Sequence, residues 1–162
     1  MNILNELIRD YPDNPWFLEL KGQILYESGK IEDSIEPYSK SLKLRPKEPL
    51  LMVGLATALN ARNRENDSEN AISLLKESLK YDKKNSHTWF QLAIAYSNMD
   101  NIGMAEISSA ERHFLTGNIK MASFHAKKSL RYFTNSDIYK LRAEDILLDS
   151  KNKAKWKKGC PV

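Results

Sequence analysis

The chain has 162 residues, 41% of them hydrophobic. That suffices for one ordinary domain or a short repeat array with a real core, and it excludes a disordered polymer. Six glycines and six prolines are too few for the turns of an all-β protein and suit a helical one. The formal net charge is +4, but Lys151–Val162 holds five lysines and no acid, and without it 20 basic side chains face 21 acidic ones, a balance of −1. The body therefore carries no electrostatic footprint for nucleic acid.

The N-terminal residues MNILNELIRDYP lack the basic and apolar regions of an export signal. Leu4, Leu7 and Pro12 fall where the second helix of an earlier repeat should end, so residues 1–12 are expected to be half a repeat of something longer. Apolar runs are only a few residues long, and no membrane-spanning helix is expected. The single cysteine, Cys160, excludes an internal disulfide and does not fix the compartment.

Internal repeats organise the rest of the chain. Pro12 and Pro46 are 34 residues apart, and so are Pro15 and Pro49. About 34 residues is the period of the tetratricopeptide (TPR) repeat, a pair of helices with small residues where they cross. Residues 15–48 fit: Gly22 at the small position of the first helix, Gly29 in the turn, and Ser34, Tyr38 and Ser41 in the second helix. Pro37 is expected near the first turn of that helix, where a missing N–H costs less. Residues 49–85 form the next unit, with Leu55, Ala56 and Leu59, then Ala71, Leu75 and Ser78. Their turn, NRENDSEN, is longer than usual, and Asp67 or Ser68 is expected to cap the helix after it.

Residues 86–118 place Trp89, Leu92, Ala93 and Tyr96 at signature positions. They overlap a degenerate unit, 103–132. Helix 102–116 reads equally as the second helix of one repeat, through Ala105, or the first of the next, with Ala110 at the small position and Gly117 at the turn. Helix 119–132 supplies Ala122 and Ser129. A helix over 136–149, with Tyr139, Ala143, Ile146 and Leu147 on one stripe, is expected as a cap. Residues 151–162 are expected as a disordered basic tail. The fold class is thus all-α, a TPR-like helical-hairpin solenoid of about nine helices in one array over residues 1–150, closed by a C-terminal capping helix.

The expected binding site is the inner face of the first helices. It comprises Trp16, Glu19, Gln23 and Tyr26, then Leu50, Val53, Thr57 and Asn60, then His87, Phe90, Ile94 and Ser97. The set is mainly apolar and aromatic, so the expected occupant is an apolar segment or helix of a protein partner, not a peptide carboxylate. The competing reading of each residue is plain core. His113 and His125 lie on adjacent predicted helices and could share a metal, but no local spacing supplies a third ligand, and packing or surface histidines fit better. Cys160 beside Lys157 and Lys158 reads either as an activated thiol or as a tail cysteine without a role. The lysines with Trp156 read either as a contact for acidic lipid or nucleic acid or as a solvated terminus. No paired carboxylates, phosphate loop or nucleophile–base spacing stands out. No cofactor is expected.

Three segments carry a narrower resemblance: NPWFLELKGQILYESGKIEDSIEPYSKSLKLRP, then WFQLAIAY, then MAEISSAERHFLTGN with the helix after it. Over roughly residues 10–148 the chain resembles the C-terminal TPR region of bacterial periplasmic zinc metallopeptidases of the beta-barrel assembly-enhancing protease type. The resemblance implies a periplasmic, non-catalytic half that contacts a metallopeptidase domain or an envelope-assembly client. The HExxH motif of that family is absent, since the three histidines lie in HTWFQ, HFLTG and HAKKS, so no zinc ligand transfers. The alternative is a stand-alone cytoplasmic TPR adaptor with an unrelated partner.

Overall fold

The computed structural model describes residues 2–135 and 137–159, and the side chains of 3–135 and 137–152. The described residues form nine helices and no strand. The chain divides into two compact units, Met1–Lys83 and Lys84–Val162, at a junction inside the polar stretch from Asp82 to Asn85.

The first unit contains α1 (Asn2–Asp10), α2 (Pro15–Glu27), α3 (Ile31–Leu44), α4 (Pro49–Arg62) and α5 (Asp67–Tyr81). Pro15 opens α2 at a position whose N–H has no intrahelical partner, and the Asn14 side chain accepts from the Trp16 N–H at 3.0 Å. The helix ends on Gly29 at φ +75°, with the Lys30 N–H reaching back to the Leu25 carbonyl at 2.9 Å. That six-to-one bond is the Schellman closure, and its left-handed residue favours glycine.

Tyr38, 5% exposed, lies between two glycines. A Cβ on Gly22 of α2 would stand 2.8 Å from the base of its ring, and one on Gly54 of α4 would stand 2.9 Å from its Cε1. Ser41, buried on α3, donates to the Pro15 carbonyl at 2.8 Å, and Ser78 on α5 donates to the Pro49 carbonyl at 3.4 Å. Each of these serines ties the end of a second helix to the start of its own repeat. Their spacing reads from sequence as a demand for small size; the hydrogen bond is an additional reason for serine over alanine.

Two details differ from expectation. Pro37 lies inside α3, in its second turn, so its missing N–H does remove an intrahelical bond, and its ring is buried. Neither Asp67 nor Ser68 caps α5, whose cap residue is Asn66 in the left-handed region at φ 64°, without a side-chain bond. Asp67 is instead buried in the first turn, where its carboxylate accepts from the Arg64 N–H at 2.9 Å and from the Arg62 fork at 2.7 and 2.8 Å. Its carboxyl is held below the ordinary range by the Arg62 hydrogen bonds, which outweigh the opposing effect of burial. Glu32 on α3 joins Arg62 and Arg64, so the long turn is closed by charge.

The second unit contains α6 (Ser86–Asn98), α7 (Ile102–Leu115), α8 (Ile119–Ser129) and α9 (Ile138–Gly159). Asn85, Asn101 and Asn118 cap the first three, each accepting from N–H groups of the first turn. The α6–α7 and α7–α8 turns repeat the α2–α3 closure. Asn101 N–H bonds the Tyr96 carbonyl and Asn118 N–H the His113 carbonyl, both at 2.9 Å, around left-handed Asp100 and Gly117. Helix α7 therefore sits between two turns of the same kind. The core is alanine-rich: Ile107, Ala110, Ala122, Ala126, Ala143 and Ile146 are buried, with Phe114, Phe133 and Tyr139 packed on them.

In α6 burial is uneven across the signature positions. Its buried stripe is Thr88, Gln91, Leu92, Ala95 and Tyr96, while Trp89 and Ala93 are only half-buried. Ala95, beside Leu92 on that stripe, is fully buried. Helix α9 carries Tyr139, Ala143, Ile146 and Leu147 into the core as its pattern requires. It continues through Gly159, where the sequence suggests a disordered tail. Ser136 and Cys160, and the side chain of Trp156, lie outside what is described.

Candidate functional site

In the first unit the expected face is built from α2 and α4. Trp16 (43% exposed) and Leu50 (57% exposed) present apolar surface at the N-terminal ends of their helices. Glu19 and Tyr26 are half-buried, and Gln23 is exposed and donates to Glu27 at 2.9 Å. Burial pushes the Glu19 carboxyl above its ordinary value. The Tyr38 phenol is also pushed up, by burial first and then by the charges of Glu19 and Glu27. Val53 (5% exposed) and Asn60 (5% exposed) belong to the core of α4 and present no surface to a partner. Thr57 is half-buried and returns its hydroxyl to the Val53 carbonyl at 2.8 Å. The available face of this unit is thus Trp16, Glu19, Gln23, Tyr26, Leu50 and Thr57. Beside Trp16, a cleft of about 520 Å³ opens between Tyr11, Pro12, Pro15 and Arg45.

In the second unit, His87 and Ser97 are exposed, and Phe90 and Ile94 are half-buried. The Arg112 guanidinium of α7 lies 4.4 Å above the centre of the Phe90 ring, a cation–π contact that no repeat position announces. His87 is 6.2 Å from Phe90, centre to centre. Its imidazole is held below the ordinary value by burial and then by the charge of Arg112.

His113 and His125, the pair that could have shared a metal, stack face to face, 5.3 Å apart and 9° from parallel. His125 directs Nδ1 to Glu106 at 2.7 Å, and Lys128 holds the other oxygen of that carboxylate at 2.5 Å. Burial pushes the Glu106 carboxyl up, but the bonds from Lys128 and His125 outweigh it and hold it below the ordinary range. Among the described residues no group of three or more His, Cys, Asp or Glu could hold a metal ion, and no helix is long and apolar enough to cross a membrane.

Successive helical hairpins, most of them closed by the same turn, with glycine or serine at the crossings, define a TPR-like helical protein. Solved structures that share that fold include two of MamA. One is a MamA RS-1 ArsTM double mutant, 17% identical with a TM-score of 0.68, covering 94% of this chain and 84% of that one. The other is a crystal structure of MamA protein, 16% identical with a TM-score of 0.66, covering 98% of this chain and 84% of that one. Both are TPR-like helical solenoid proteins. No family model matches the chain. No curated protein matches it.

Proposed function

We propose that this protein is a non-catalytic adaptor or scaffold that binds a protein partner through the exposed first-helix surfaces of its hairpins. The observation that carries the reading is the exposure of Trp16 and Leu50 where the repeat pattern expects a partner, on a TPR-like fold. Isolated apolar residues are ordinary on a surface, but an aromatic with an adjoining cleft is the kind of anchor that dominates an interface. The sequence resemblance of the three segments supports a narrower version: a partner module of a periplasmic zinc metallopeptidase that acts in envelope protein quality control.

The test is co-purification from cells with Trp16 and Phe90 both changed to alanine. The wild-type chain should retain a defined partner that the folded double variant loses by tenfold or more, the scale of about two interface anchors. Unchanged recovery by a variant with native helix content contradicts the reading. For the narrower version, an adjoining reading frame encoding HExxH supports the protease link, and its absence removes it.

A further inference from the structure

The second unit holds all three histidines of the chain, and its charges are unevenly spent. Helices α6, α7 and α8 contain only two acids, Glu106 and Glu111. Glu106 is taken by His125 and Lys128. Glu111 is taken by the Arg142 fork from α9, at 2.5 and 2.8 Å. Arg112, next to Glu111 in sequence, makes no ion pair among the described residues. One face of its guanidinium lies on Phe90, and its charge reaches both His87 and His113.

A guanidinium held on an aromatic ring has its plane set in advance and keeps N–H groups free for a two-pronged bond to a carboxylate. Half-buried Phe90 and Ile94 offer apolar surface on the same helix as exposed His87. We propose that the face around Arg112 receives an acidic segment of a protein partner, a side-chain carboxylate pairing with the guanidinium and adjoining apolar side chains resting on Phe90. This deepens the adaptor reading and rests on it. It also revises the apolar occupant expected from the first-helix residues alone, because Arg112 comes from the neighbouring helix. One fixed guanidinium matches a carboxylate, whereas nucleic acid calls for a track of cations.

The site has a built-in dependence on pH. His87 faces Arg112. His113 faces His125 across the α7–α8 packing and Arg112 on its own helix, while Glu106 and Lys128 are already bound around His125. A carboxylate arriving beside Arg112 offsets its charge and favours protonated imidazoles, so binding takes up protons and tightens as pH falls through the imidazole range.

The experiment titrates the full chain with a short fluorescent peptide in which Glu alternates with Leu, and with its Gln-for-Glu counterpart. The acidic peptide should bind at least about tenfold more tightly and shift the ring NMR signals of His87 and His113. Arg112→Gln should remove that preference, and Arg112→Lys should keep part of it. Equal binding of the two peptides, or no effect of Arg112→Gln, overturns the proposal. Displacement of the peptide by an oligonucleotide at lower concentration also overturns it. In co-purification, a partner lost by the Trp16/Phe90 variant but kept by Arg112→Gln contradicts this site alone. A partner kept by both variants contradicts the adaptor reading itself.

Discussion

Gly22 shows what a single residue can do in a repeat. Its place in the sequence pattern asks for a small side chain, and the structure supplies the reason: the Tyr38 ring occupies the space where a Cβ would go. Alanine is the better helix former by about 1 kcal/mol, so in an open site the change to alanine would stabilise. Here the contact falls on the base of the ring, which is fixed to the α3 backbone, and overpacking should win, with Gly22→Ala losing about 1–3 kcal/mol in chemical denaturation. The loss should shrink in a Tyr38→Leu background, a coupling that a double-mutant cycle reads directly. Equal losses in both backgrounds would assign the effect to something other than the ring. The sequence displays Gly22 because it breaks an otherwise helical run. It does not display Gly54, which meets the same tyrosine at Cε1 from the next helix, because that contact links residues of different repeats. Ala93 shows the limit of spacing alone: it is half-buried, while the buried stripe of α6 runs through Leu92, Ala95 and Tyr96.

At the level of elements, the helices and two of their turns are legible. Gly29 and Gly117 announce left-handed turns, whereas Asp100 adopts the same conformation at φ 54° without a glycine to signal it. The α4–α5 turn is legible only as an insertion. What closes it is the Arg62–Asp67 fork with Glu32, and a carboxylate partner for Arg62 cannot be chosen from spacing alone among the acids nearby. Asp67 is nearly buried and Arg62 is mostly so, and removing the charge of one strands the other. Asp67→Asn should therefore destabilise by roughly 2 kcal/mol, less than for a fully buried pair because Arg62 keeps some solvent. The sign with pH comes from the lowered carboxyl. Its contribution is complete above the ordinary value of 3.8 and is lost as pH falls through the lower folded-state value. Thermal melts of the wild type should lose stability in that acid window more steeply than melts of Asp67→Asn. Parallel curves would show that the fork contributes nothing to the acid limb.

For the molecule as a whole, the 34-residue proline spacing makes the hairpins countable, and the fold results from local turn and crossing rules repeated along the chain. The expected face is only partly legible. A periodic rule marks Val53 and Asn60 as surface when they are core, because in α4 the buried residues extend almost all the way round the helix. The rule also omits Arg112, which reaches Phe90 from α7. The central claim is that exposed first-helix positions meet a partner and the outward positions of α3 and α5 do not. A photo-activated cross-linking residue placed at Leu50 or at His87, with Glu36 and Lys80 as exposed controls on α3 and α5, tests it in living cells. A discrete heavier adduct from Leu50 or His87, and none from the controls, is the predicted result. No adduct from either first-helix position, or the same adducts from all four, would contradict the account.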